Sequence, residues 1–375
     1  MMSYTLTIVI LGTVLLGGVA GALGCFAVLR KQSLLGDAIA HAALPGICIA
    51  FLVTGAKQST ILVIGAIIVG WLGAIVLSIV TQQTSLKKDA VLGIVLSVFF
   101  GFGLVLLTYI QRLATAQQSG LNQYLFGSAS TLLKADLWVM GVLGSSVIIV
   151  MILFWKEFKL ISFDTAYAAS LGYRVKTIET VITMLIVIAI VIGLQTVGVV
   201  LMSALVIAPA VAARQWTDRL SVMVILAAFF GSISGVIGAL LSSFFNQIPT
   251  GPVIVVVMSL IVIISLFLSP LRGILWEKIR QYRNRKLIYQ KKSLYLLWLL
   301  AQNHDDLTYA HSISALEALG YHWVLASLQE LLPKNLVYQN KAGHWGLTQK
   351  GVRKASRIAS VWQIAEEVKQ GPHYG

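Results

Sequence analysis

Nine apolar runs, each nearly free of charge, take up most of the first three-quarters of this chain: residues 3–29, 36–54, 60–80, 90–110, 137–155, 177–198, 199–213, 219–243 and 252–271. A helix needs roughly 20 apolar residues to cross the hydrocarbon core of a bilayer, where every backbone polar group must be satisfied internally. Most of the runs have that length. The run 199–213 is shorter and contains Pro209, so a short or broken helix is expected there. The fold class that follows is an all-α polytopic membrane protein with about nine (eight to nine) transmembrane helices. Composition agrees: the 375 residues are 58% hydrophobic and 11% charged, against about 25% charged in soluble domains. No cationic segment precedes the first run and no cleavage site follows it, so it reads as a retained span and not a signal peptide. Cys25 and Cys48 lie inside apolar runs and read as packing residues, not a disulfide framework.

Charge orients the spans. If all nine cross, Arg30, Lys31, Lys87, Lys88, Lys156, Lys159, Arg174, Lys176, Arg214, Arg219 and Arg272 share one side, and only Lys57, Arg112 and Lys134 face the other. The basic side is cytoplasmic by the positive-inside rule, which puts the N-terminus outside and the tail inside. Gly17 with Gly21, and Gly231 with Gly235, form small-xxx-small pairs that read as sites of close helix packing.

One span begins with two side chains that do not belong in hydrocarbon. Asp37 and His41 are four residues apart, so a helix places them on one face, about 6 Å apart along its axis. Intramembrane ionisable groups are costly and usually face a bundle interior or a pathway. A carboxylate and an imidazole together make half of a site for a divalent transition metal. Polar glue between helices is the other reading of the pair.

The stretch Gly36-Asp37-Ala38-Ile39-Ala40-His41-Ala42-Ala43-Leu44-Pro45-Gly46 resembles a signature of the permease subunits of metal-ion ABC importers, which take up zinc, manganese or iron(II). The resemblance implies that Asp37 and His41 are metal ligands, and that the divalent ion is cargo, with no permanently bound cofactor. It implies a non-enzymatic subunit of a bacterial cytoplasmic membrane system, working by alternating access. The partners it implies are a cytoplasmic ABC ATPase and an extracellular or periplasmic metal-binding protein. A closed metal site needs four or more ligands, so a second permease copy, or a related permease, is also expected. Ala208-Pro209-Ala210 is similar to a motif of the same family; a kink and a functional role both remain open for it.

Three connecting segments add to this picture. Asp164 can cap a short helix over Thr165–Leu171, with Gly172 ending it. Phe163, Asp164, Ala168, Leu171 and Gly172 resemble the coupling helix that docks ABC permeases onto their ATPase. The segment 246–252 has the Pro249 and Gly251 of a fixed turn, and the polar loop 111–134 includes Gln117–Asn122. Both are expected to face the external metal-binding protein.

From Trp276 the composition changes. The domain boundaries read 1–276 for the membrane permease, 277–285 for a basic juxtamembrane linker, 286–370 for a small cytoplasmic domain and 371–375 for a tail. The basic run 277–292 is of the type drawn to anionic membrane lipids. Leu287–Gln302, Ser312–Leu319 and His322–Leu332 read as helices with Gly320 between the last two, 336–347 as a hairpin, and the segment capped by Thr348 as a final helix. That order is a winged helix, resembling the DNA-binding domain of metal-dependent repressors. The helix that would read DNA, 322–330, has no Lys or Arg for phosphates, so a regulatory or protein-contact module is expected and DNA binding is not. His304, Asp305, Asp306 and His311 read as a solvated loop, with metal sensing as the alternative. No Gly-Lys-Ser/Thr phosphate loop occurs in the sequence. Two other functions are weighed: a membrane-anchored metal-responsive transcriptional regulator, and a secondary metal transporter driven by an ion gradient.

Overall fold

A computed structural model describes residues 4–32, 34–55, 58–112, 127, 129, 132–245, 248–304, 306–317 and 323–370. Lys57, the polar stretch Gln117–Asn122, Asp305, Gly320, His322 and the tail 371–375 lie outside the described residues. The chain forms two compact units, residues 1–274 and 275–375.

The first unit is helical: α1 Tyr4–Leu29, α2 Leu35–Thr54, α3 Ser59–Gln83, α4 Lys88–Arg112, α5 Lys134–Leu153, α6 Trp155–Phe163, α7 Thr165–Ser170, α8 Val175–Leu194, α9 Val199–Trp216, α10 Leu220–Phe244 and α11 Thr250–Leu268. Among the described residues nine of these are long and apolar enough to cross a membrane: α1–α5 and α8–α11. The expectation of a short or broken helix at 199–213 is corrected. α9 runs unbroken for 18 residues with Pro209 inside it and buried. Neighbouring helices enclose that face, which is the setting in which a membrane helix tolerates proline.

α1 is the hub of the unit, with Leu16, Leu23 and Phe26 fully buried. Its glycines explain how. A Cβ on Gly17 would collide with the carbonyl of Gly231 in α10, and one on Gly21 with that of Ala227. Ser232 donates its hydroxyl to the carbonyl of Val14 at 2.9 Å across the same seam. Without a hydrophobic effect between helices in lipid, such close backbone approach supplies the packing energy. α3 and α4 instead leave long rows of apolar side chains exposed, among them Ile64, Ile68, Leu72, Val98, Phe102 and Val105.

Two connections differ from the sequence reading. The fifth span ends at Leu153 and a separate helix, α6, follows after Phe154. It anchors through Phe158, which is buried edge-on against Phe26 with ring centres 5.8 Å apart. The turn expected over 246–252 is shorter, because α11 starts at Thr250 and Gly251 lies in its first turn. Ser242 fixes that start, bonding to the carbonyl of Ile248 at 2.7 Å and to the Thr250 hydroxyl at 2.9 Å.

The second unit contains most of α12, Ile274–Ala301, then α13 Ile313–Glu317, α14 Val324–Leu331, a short 3-10 turn at Leu332–Lys334, a hairpin of β1 Val337–Gln339 and β2 Trp345–Leu347, and α15 Gln349–Gln370. α12 continues unbroken through 277–285, the stretch read as a linker; no Gly or Pro interrupts it. The strands pair antiparallel, Val337 opposite Leu347, and His311 bridges to Trp345 beside them. Leu294, Leu297, Leu316, Val324, Leu328 and Trp345 form the core. Thr348 accepts a bond from the Gly351 N–H at 3.0 Å, which caps α15.

Candidate functional site

Asp37 and His41 occupy the first two turns of α2, on one face, with His41 Nε2 3.4 Å from Asp37 Oδ1. The imidazole is buried, and Phe100 of α4 packs against it edge-on, ring centres 4.3 Å apart. Its Nδ1 is buried and has no hydrogen-bond partner. Nε2 is the nitrogen that faces the carboxylate, so a cation held by both groups would sit between Nε2 and the Asp37 oxygens. One turn further, Pro45 has no N–H to give to the carbonyl of His41. α9 approaches at Gly36, and its Ser203 lies beside the Asp37 carboxylate.

Sequence reading missed Phe100 and Ser203. Both come from helices remote in the chain, and neither residue type is unusual in a span. Their only signal is the fold. Within one chain the set is incomplete: among the described residues no group of three or more His, Cys, Asp or Glu side chains is arranged to hold a metal ion.

The second candidate region is the knob formed by α7. Asp164 accepts a bond from the Tyr167 N–H at 2.9 Å. At the other end the Gly172 N–H bonds to the Ala169 carbonyl at 3.0 Å, and the Tyr173 N–H to that of Ala168 at 3.2 Å. That pair of bonds is a Schellman ending, which requires a left-handed residue, and Gly172 has φ +84°. Ala168 is fully buried beneath the knob, while Phe163, Tyr167 and Leu171 are each more than half exposed. Three large apolar side chains on a rigid, capped turn make a surface suited to a protein partner. Pro249 forms the N-cap position of α11, with Gly251 buried behind it.

In the second unit His304 stacks on Tyr309 with ring centres 4.0 Å apart, and 5.2 Å separate the rings of His304 and His311. Asp306 is tied to the N–H and hydroxyl of Thr308. In α14, Glu330 pairs with Lys286 and accepts a bond from Gln290 at 2.8 Å, so its carboxylate faces α12.

Comparison with known proteins bears on the whole of the first unit. The model of the ABC 3 transport family matches residues 2–269. The chain belongs to the ABC 3 transport family. Among members and relatives, the chain is 40% identical over 358 residues to the manganese transport system membrane protein MntC of Bacillus subtilis, an alignment covering 96% of this chain and 82% of that protein. It is 48% identical over 280 residues to the zinc transport system membrane protein TroC of Treponema pallidum, covering 75% of this chain and 94% of that one. Its fold is similar to a solved structure of PsaBC from Streptococcus pneumoniae in complex with Fab, at a TM-score of 0.65 and 30% identity over 73% of this chain and 95% of that one. The first two relatives are named for manganese and zinc, and neither for iron.

Proposed function

We propose that this chain is the membrane permease subunit of an ATP-driven importer of divalent transition-metal ions, manganese or zinc, across the bacterial cytoplasmic membrane. The observation that carries the proposal is the family match over residues 2–269, with relatives named for manganese and zinc transport on either side of it. A regulator whose spans are only a sensor is not favoured, because the match falls on the spans themselves. ATP hydrolysis belongs to a separate cytoplasmic ATPase. The exposed, capped α7 supports its docking there, through Phe163 and Leu171 held by Asp164, Ala168 and Gly172.

Asp37 and His41 are the proposed cargo ligands. Their shared helical face and the 3.4 Å approach of His41 Nε2 to the carboxylate support this reading, and two ligands per chain call for a second permease copy, or a related permease, at a two-fold axis. Pro249 and Gly251, on the side with few basic residues, face the external metal-binding protein. The N-terminus lies outside and residues 275–375 in the cytoplasm. The helix–helix–helix–hairpin–helix order of the second unit supports a winged-helix module that regulates or contacts protein. Its would-be reading helix, 322–330, has no Lys or Arg to meet a phosphate, so DNA binding is not expected of it.

The test is metal accumulation by cells that carry the intact system as their only high-affinity importer. Manganese or zinc uptake that stops when this chain is removed supports the proposal. Uptake that survives its removal, or that persists without the ATPase, refutes it.

A further inference from the structure

The corner between α1 and α2 borders a cavity of about 470 Å³ that also reaches α3, α4 and α8. Its lining is mixed, with charged and apolar side chains. At the corner, Arg30 is almost fully enclosed, its side chain 7% exposed, and one arm of the guanidinium bonds to Glu179 at 2.9 Å. The other arm, Nη1, is buried and without a partner, as is Oε1 of Gln32. Lys31 and Lys176 also line the cavity. So do Trp71, Ile75 and Ile79, one helical turn apart on α3, a stripe about 12 Å long. Trp71 and Ile79 are exposed, so apolar lining of the cavity reaches the surface of the unit.

The charge balance selects the ligand. Glu179 is already engaged by Arg30, and Asp89 is the other acid in the lining, against three cations. A metal ion does not fit: the two acids are outnumbered, and among the described residues no group of three suitable donors occurs. An anion with an apolar extension does. It would give Arg30 an acceptor, meet the two lysines, and lay hydrocarbon along Trp71 and Ile75. A hydroxyl on its polar end would supply the donor that Gln32 lacks.

We propose that this cavity binds one anionic phospholipid from the leaflet on the basic side of the membrane, phosphate at Arg30, Lys31 and Lys176 and acyl chain along α3. The lipid would bridge the corner that leads into Asp37 and the start of α8, which follows the α7 knob. The inference rests on the spans crossing a bilayer and not on the metal assignment, so each can fail alone.

Native mass spectrometry of the full-length protein in detergent tests it, with phosphatidylglycerol, phosphatidylcholine and inorganic phosphate as probes. The expected result is one phosphatidylglycerol retained per chain, in preference to phosphatidylcholine. In the Lys31→Gln/Lys176→Gln variant, which alters two exposed side chains, its affinity should fall about thirtyfold, by the loss of two cation contacts to an anionic lipid head. Arg30→Gln should abolish retention; because it also breaks a buried ion pair, the lysine variant is the deciding one. Equal retention of phosphatidylcholine, unchanged affinity in the lysine variant, or displacement of the lipid by millimolar inorganic phosphate alone would each overturn the proposal.

Discussion

His41 stands between neighbours of opposite character, a carboxylate at one nitrogen and an aromatic ring at its face, and its second nitrogen has no partner. The pairing with Asp37 was legible in the sequence, because a four-residue spacing fixes a shared helical face. The enclosure by Phe100 and Ser203 was not, because it depends on which remote helices pack there. The histidines of the second unit make a contrasting case. Burial first, and then the charges of His304 and His344, hold the His311 imidazole below the ordinary histidine range. The folded domain therefore refuses a proton that the unfolded chain accepts. The stability that His311 contributes is fully present above the ordinary histidine pKa of about 6.5 and is lost as the pH falls from there toward the folded pKa. Hydrogen exchange of the 275–375 unit in the intact protein should show faster opening at pH 5.5 than at pH 7.5, and His311→Gln should flatten that dependence. An unchanged slope in the variant would reassign the effect to other groups.

At the scale of elements, the knob α7 has its boundaries written in its own residues. An Asp at the N-cap and a Gly at the left-handed terminator are local requirements, so local sequence reveals them. The same holds for the close glycine seam between α1 and α10. Pro209 misled for the opposite reason. Proline breaks an isolated helix, but α9 keeps its course because packing around it outweighs that local preference. α6 was missed because it follows its span after Phe154, with neither Gly nor Pro to announce a new element. Asp164→Ala should cost about 1 kcal/mol of local stability through loss of the cap, and Gly172→Val should cost more by straining a φ of +84°. Both should lower metal uptake per ATP hydrolysed in the reconstituted importer while leaving the helical content unchanged. Full coupling in both variants would remove α7 from the ATPase interface.

For the whole molecule, span count and fold class followed from hydropathy, which acts over some 20 residues at a time and survives errors in any one. The junction with the second unit is less easily read. Basic residues alone mark it, and α12 carries straight through them. TroC aligns over 94% of its own length with 280 residues, 75% of this chain, and the family match ends at residue 269. Truncation after Gly273, before α12 and not within it, should therefore leave a folded protein whose uptake persists with altered regulation. A truncated chain that inserts normally but carries no metal at any external concentration would show that the second unit belongs to the transport machine.

The account stands most directly on the cargo pair. Asp37→Ala and His41→Ala leave α2 its length and apolarity, so membrane insertion should survive or become easier. What each removes is a donor that a cation needs, the ionised carboxylate or the neutral imidazole. His41→Gln keeps hydrogen-bonding capacity and is a much poorer ligand for a transition metal. The measurement is ATP-driven uptake of radiolabelled manganese and zinc into proteoliposomes holding the complete importer, compared for wild type, Asp37→Ala, His41→Ala and His41→Gln. All three variants should insert and assemble, yet lose most or all uptake. If His41→Gln transports at the wild-type rate while His41→Ala fails to assemble, the pair is a packing contact and the metal passes elsewhere.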